Sequence, residues 1–288
     1  MRRRIDASPV KTVVAAAVAP LALTFAMRPS RARAIGVCAL QMWAYVEAYK
    51  SPFRDPEQAA ARVYVRYPIA ADRVLGLGEM PSARLQKAFS RRGEVNRIER
   101  VLVWCHWLWF AVPHASVAYV LVRRPDSFPA AAARMYAVFD LGALCYWAAP
   151  TAPPWWAAAE GHLMQDGRPA VRRMMIEYGE RFWGDRWGGL YDVFGGNPLA
   201  AMPSLHFATS LMAARLLSET GPLAGALGWA YTGTLGVALV YLGEHYAVDL
   251  IAGAALTESV RRLAVRAEPT AAALVRGLAG VQARISRD

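Results

Sequence analysis

Long apolar runs separated by short arginine-bearing loops dominate this chain. A hydrocarbon core about 30 Å thick takes about 17–25 residues of helix to cross. Five runs meet or approach that length: 98–121, 128–149, 198–217, 222–242 and 246–260. Arg97 and Arg123-Arg124 flank the first, Ser218-Glu219-Thr220-Gly221 breaks the third from the fourth, and Arg261-Arg262 close the fifth. Two shorter runs, 13–27 and 34–48, precede them. Trp, Tyr and His gather at many of the ends, as aromatic residues do at membrane interfaces. The pattern predicts an all-α polytopic membrane helix bundle with six core transmembrane helices, and a seventh if 13–27 also spans. That run has a second reading as a secretory signal peptide, with MRRR before it and Ala32-Arg33-Ala34 after it. The helix is favoured, because a polytopic protein needs no cleavable signal. The chain then divides into a basic N-terminal segment (1–33), a membrane domain (34–264) and a basic tail (265–288).

Composition agrees with this pattern. Of 288 residues, 56% are apolar and 19% charged, with a mean hydropathy of +0.19. A soluble domain usually has about 25% charged residues. Disorder is excluded by the same apolar surplus. Three cysteines (Cys38, Cys105, Cys145) all lie in apolar runs, which excludes a disulfide scaffold and predicts small core residues.

The net charge of +11 is almost all arginine, since Lys11, Lys50 and Lys87 are the only lysines. Basic short loops stay cytoplasmic. The segments 27–33, 122–127 and the tail after Arg261 carry such arginines, and the helix count puts all three on one side. A spanning 13–27 run sits awkwardly with this scheme, because it places MRRR outside. The connections 49–97 and 150–197 then lie outside, which predicts a multi-pass protein of a bacterial plasma membrane. Within the first connection, 72–91 mixes Leu, Met and Phe with Arg and Lys, as a surface-lying helix does. Arginines spread between helices do not form the single basic face that nucleic acid needs.

Two constellations carry chemistry. In Ala201-Met202-Pro203-Ser204-Leu205-His206, Pro203 fits the first position of a helix. The free amides and dipole of such a terminus attract an anion. Ser204 adds a hydroxyl, and His206 can give or take a proton there. In Gly243-Glu244-His245-Tyr246-Ala247-Val248-Asp249, His245 and Asp249 stand four apart on one helix face. A carboxylate there holds one imidazole N–H and frees the other nitrogen as a nucleophile or base. A carboxylate within a spanning helix is costly, which marks Asp249 as functional. The alternative is a His–Asp pair that only ties two helices together. The breaker at 218–221 folds the helices back, so both constellations fall in the outer half of the membrane. His106, His114 and His162 read as structural histidines. No third metal ligand shares this spacing, so neither metal nor cofactor is expected.

Pro203-Ser204-Leu205-His206 followed by His245-Tyr246-Ala247-Val248-Asp249 resembles the second and third motifs of the type 2 phosphatidic acid phosphatase superfamily. The resemblance runs from about Arg97 to the C-terminal part. It is strongest to the inositol phosphorylceramide synthase branch, through Pro203–His206 and Ala152-Pro153-Pro154-Trp155. It implies that His245 attacks phosphorus, Asp249 orients it, and His206 protonates the leaving oxygen and then activates the acceptor. Ser204 and the helix-end amides would hold the non-bridging oxygens, where charge stabilisation matters most. The superfamily's Lys-x6-Arg-Pro motif is absent, and its arginine six residues before the histidine is Leu239 here. That leaves phosphate binding unassigned: the outer connection offers Arg168, Arg172 and Arg173 as candidates, with Arg181 and Arg186, and each has the alternative reading of a solvated or lipid-headgroup contact. The implied protein is a lipid phosphatase or phosphotransferase whose partners are membrane lipids. The competing class is a lipid-phosphate-binding protein or transporter, although no inverted repeat is visible.

Overall fold

The computed structural model describes residues 9–51, 55–91, 94–194 and 197–285. Arg2, Arg3, Arg4 and Arg287 of the charge pattern lie outside the described residues. The chain is nearly all helical. Its helices are α1 (Pro9–Ala26), α2 (Arg31–Lys50), α3 (Pro56–Arg62), α4 (Arg66–Leu75), α5 (Pro81–Phe89), α6 (Arg97–Leu108) and α7 (Val112–Arg123). They continue as α8 (Phe128–Ala148), α9 (Pro154–Ala159), α10 (Met174–Trp183), α11 (Arg186–Phe194), α12 (Leu205–Thr220), α13 (Pro222–Tyr241) and α14 (Ala247–Ile285). A two-residue hairpin, β1 (Met164–Gln165) with β2 (Arg168–Pro169), lies between α9 and α10.

Local chemistry explains where several helices start. Ser30 caps α2 by accepting the Arg33 amide, and Asp55 accepts two amides of α3. Asn96 and Glu99 form a reciprocal capping box on α6. Each such cap satisfies amides that the helix itself leaves unpaired.

The run 98–121 is not one straight helix. It divides into α6 and α7, which meet at a 55° bend. Pro113 is the cause: it has no N–H to donate back and opens α7 in the first-turn position that tolerates it. Among the described residues α13 alone is long and apolar enough to cross a membrane by itself, and α6 with α7 passes the same test as a pair. The other runs are shortened or carry charge. α12 begins at Leu205 rather than at 198, and α8 contains Arg134 and Asp140.

The main core packs α8 against α2, α7 and α12 through Met135, Phe139, Tyr146, Leu205, Met212 and Leu216. A second core joins α6, α10 and α13 through Val103, Met174, Tyr178 and Leu242. Polar side chains tie helices together where hydrocarbon packing alone is weak. Thr232 on α13 donates to the Ser210 carbonyl at 2.9 Å, and Thr257 on α14 to the Ala208 carbonyl at 2.8 Å. Cys38 is half-buried and Cys105 buried, but Cys145 is exposed, because it sits on the outward face of α8 and not in the core.

The two long connections meet above α12. Thr151 and Ala152 exchange backbone hydrogen bonds with Tyr64, Leu199 and Ala201 at 3.0 Å. The segment 72–91 is helical, as its pattern predicts, and it packs on the protein. α4 lies against α14 and α5 against α13, burying Asp72, Ser82 and Gln86.

Candidate active site

The N-terminus of α12 lies two residues beyond its expected start at Pro203. Ser204 is the N-cap, its hydroxyl oxygen accepting the Phe207 amide at 3.3 Å, and Leu205 is the first helical residue. Pro203 precedes the cap, and its carbonyl accepts a hydrogen bond from the Tyr146 hydroxyl at 2.7 Å. Ser204 displaces proline from the start because a hydroxyl satisfies an orphan amide. His206 thus lies in the first turn, beside the amides of Leu205 and His206, for which the helix offers no acceptor.

The second constellation, 243–249, turns sharply into α14. Gly243 adopts φ +80°, where side chains are strained, and a Cβ there would meet Val171 at 2.5 Å and the Arg172 carbonyl at 2.7 Å. That turn aims His245 at α12. Asp249 lies in the first turn of α14, and His245 precedes the helix instead of sharing its face as the spacing predicts, because the turn at Gly243 delays the helix to Ala247. Asp249 Oδ2 is 3.2 Å from His245 Nδ1, and the same oxygen accepts the Tyr246 amide at 2.9 Å. Helices α12 and α14 touch closely here: the Ser204 amide donates to the Asp249 carbonyl at 3.0 Å. A Cβ on Gly253 would lie 2.6 Å from the Ser204 carbonyl. Only glycine permits that approach.

The result is a continuous line of ring nitrogens and carboxylate. His206 Nδ1 is 3.1 Å from His245 Nε2, and His245 continues to Asp249, which is fully buried. Sequence spacing placed the two imidazoles near one depth, and the structure puts them in hydrogen-bond contact. They form part of the wall of a cavity of about 540 Å³ whose other walls are mainly aromatic, including Tyr49, Trp107, Trp109, Phe139 and Trp155. Tryptophan 109 closes over His206, its ring centroid 4.2 Å away, and donates its indole N–H to Thr209 at 2.8 Å.

The three candidate arginines have different fates. Arg173 reaches the rim of the site. It pairs with Glu244 at 3.1 Å, donates to the Tyr191 hydroxyl at 2.9 Å, and its guanidinium lies 3.6 Å from the centre of the Trp155 ring. Burial opposes its charge, but Glu244 and Tyr191 outweigh that and hold its pKa above the usual arginine range. Arg172 faces away into a clamp. It binds both oxygens of Glu177, the Ser90 hydroxyl and the carbonyls of Arg91 and Glu94. The Glu177 hydrogen bonds raise its pKa. Arg168 is exposed on the β1–β2 hairpin, and Arg181 and Arg186 are exposed on α10 and α11. The structure thus gathers Ser204, His206, His245 and Asp249, with Arg173 alongside.

Two neighbours of the site had no role in the sequence reading. Glu244 sits inside the quoted motif, but its partner Arg173 is 71 residues away. His106 stacks on His206 with centroids 4.9 Å apart. A histidine in an apolar run carries no local sign of either pairing. Among the described residues, no group of three or more His, Cys, Asp or Glu is placed to hold a metal ion.

Comparison with known proteins adds the family. Residues 69–259 match the model of the PAP2 superfamily. The chain is also similar to the inositol phosphorylceramide synthase catalytic subunit aur1 of Schizosaccharomyces pombe, with 26% identity over 161 residues. That match covers 52% of this chain and 37% of the relative, so the chain spans well under half of that protein's length. No solved structure matches. With two-thirds of its length under one family model, and both histidine motifs inside the matched region, the chain belongs to the PAP2 superfamily.

Proposed function

We propose that this protein is an integral membrane lipid phosphatase or phosphotransferase acting at the extracytoplasmic face through a phosphohistidine. The observation that carries the reading is the line His206–His245–Asp249, at 3.1 and 3.2 Å, in the wall of an aromatic cavity. Asp249 accepts the His245 Nδ1–H and leaves Nε2 as the nucleophile. His206 donates to that nitrogen at rest, and the incoming phosphoryl group parts the two rings. His245 Nε2 then bonds to phosphorus as the bond to the leaving oxygen breaks, and that oxygen takes the His206 proton. In the second half, an acceptor hydroxyl gives its proton to His206, its oxygen bonds to phosphorus, and the nitrogen–phosphorus bond breaks. Ser204 and the first-turn amides of α12 hold the non-bridging oxygens. Arg173 supplies the cation, its charge shared between Glu244 and the substrate. The mechanism calls for no metal or cofactor.

The membrane spans in this reading are α2, the bent α6–α7 pair, α8, α12, α13 and α14, with α1 beside α2. Exposed apolar side chains support it, among them Val14, Leu21, Ile98, Val101, Leu144, Leu223, Leu227 and Ile251. Such side chains, spread along α1, α6, α8, α13 and α14, suit a lipid surround. The large apolar cavity suits a lipid chain. It favours transfer of a phosphoryl headgroup to a lipid or polyol hydroxyl over hydrolysis, as does the similarity to a synthase subunit.

The test is detergent-purified protein with labelled phosphatidic acid and phosphatidylinositol, wild type against His245→Ala. Released phosphate identifies a phosphatase, and headgroup transfer to an added alcohol or lipid identifies a transferase. In either case His245→Ala abolishes turnover. Full activity in that variant refutes the nucleophile.

A further inference from the structure

The scheme above leaves one buried ionisable group of the site without work. His106 lies in the last turn of α6 and is 4% exposed. Among the described residues, neither ring nitrogen has a hydrogen-bond partner. Its ring stacks on His206, 4.9 Å between centroids and 29° between planes, and forms part of the cavity wall. Glu244, His245 and Arg173 all lie within its electrostatic reach.

That isolation is informative. Buried polar groups are nearly always paired, and an unpaired one carries the full cost of its lost water. Several nearby polar side chains obey the rule: Trp109 donates to Thr209, Tyr146 to Pro203, and Arg173 to Glu244 and Tyr191. Asn197 Nδ2 and Asp249 Oδ1 are unpaired on side chains that bond through their other polar atom, and the Tyr246 hydroxyl is unpaired, but of these only Asn197 lines the cavity with His106. A histidine kept only for packing gains nothing over an aromatic ring at this position. A neutral imidazole carries one N–H donor and one acceptor nitrogen. The site, as read above, takes a phosphate ester, whose oxygens are strong acceptors that need several donors. Arg173 divides its charge between Glu244 and the substrate, so a further neutral donor in the cavity wall adds to the set that the phosphoryl oxygens can use.

We propose that His106 is a third histidine of the substrate site, whose imidazole N–H donates to a non-bridging oxygen of the phosphate ester. The 55° bend between α6 and α7 follows three residues later, and Trp109, Phe110 and His114 around that bend line the same cavity. The inference rests on the phosphoryl-transfer reading and adds a binding residue to it.

The probe is orthovanadate, which takes the five-coordinate shape of a phosphoryl group in transfer. Its binding is followed by tryptophan fluorescence in detergent, since Trp104, Trp107, Trp109 and Trp155 line the cavity. Wild type is compared with His106→Phe, His106→Asn and His106→Gln. Phenylalanine keeps a flat ring against His206 and removes the N–H. It weakens vanadate binding and lowers kcat/KM for phosphatidic acid or phosphatidylinositol by about 10- to 100-fold, the worth of a hydrogen bond to a charged group. One of the two amides, which restores an N–H near Nδ1 or Nε2, recovers at least part of both. A packing role predicts the reverse order, with phenylalanine active and the amides impaired. Wild-type vanadate affinity in His106→Phe overturns the proposal, and so does a failure of both amides to recover binding. A raised KM for the acceptor alcohol with vanadate binding unchanged also overturns it, by assigning His106 to the acceptor. If wild type neither binds vanadate nor turns over either lipid, the phosphoryl-transfer reading itself fails and takes this one with it.

Discussion

At the scale of single residues, the site separates into what spacing reveals and what only tertiary contact creates. The His245–Asp249 pairing was legible from its four-residue spacing, although the structure makes it across the turn before α14 and not along one helix face, because the helix begins at Ala247. Ser204 and His206 were legible because a proline before an apolar run marks a helix start, although the structure makes Ser204 the cap and Leu205 the first helical residue. The pairing of Arg173 with Glu244 was not, since it joins positions 71 residues apart. Nor was the loss of Arg172 to a clamp of Glu177, the Ser90 hydroxyl and the Arg91 and Glu94 carbonyls. Adjacent arginines look alike in sequence, and the start of α10 sends them opposite ways. The role given to His206 makes a sharp prediction. Removing a general acid costs about 10²–10⁴-fold in rate. His206→Ala therefore loses that much on an alkyl ester such as phosphatidic acid in the step that forms the phosphoenzyme. It loses far less with p-nitrophenyl phosphate, whose leaving group departs without a proton. Equal losses on both substrates, measured by rapid quench, contradict the assignment.

At the scale of elements, the sequence pattern located the apolar runs but not their joints. Pro113 inside 98–121 produces a bend, and the start of α12 moves to Leu205 once Ser204 takes the cap. Nothing local to α14 reveals the cap of its N-terminus, which comes from α4. Asp72 Oδ1 accepts the Val248 amide at 3.1 Å across the gap between the two helices. Burial pushes the Asp72 pKa up from 3.8 to about 6, although that backbone amide pulls it down. The folded value lies above the unfolded one, so the native state holds the proton more tightly. Its stabilising effect is complete below about pH 4, the unfolded value, and is lost as pH rises through about 6. Asp72→Asn keeps an acceptor for Val248 and has no charge to desolvate. Its thermal midpoint in detergent, relative to wild type, rises between pH 4 and pH 6.5. A constant difference across that window contradicts the account of this cap.

At the scale of the whole molecule, the apolar surplus lies on the outside of the helices as well as within them. Ile98, Val101, Leu144, Leu223 and Leu227 are all exposed. The same organisation puts the site and the long connections at one end and the 122–127 loop at the other. In a background with Cys38, Cys105 and Cys145 replaced by alanine, a membrane-impermeant maleimide labels Gln165→Cys in intact cells. Asp126→Cys is labelled only after lysis. The opposite pattern inverts the membrane orientation. The most direct measurement is of the covalent intermediate. The enzyme is quenched in alkali during turnover of ³²P-labelled phosphatidic acid or phosphatidylinositol, and the label is located by mass spectrometry. The account predicts an acid-labile, base-stable phosphoramidate on His245, absent from His245→Ala. Turnover with the label on another residue, or with no enzyme-bound phosphorus at all, contradicts it.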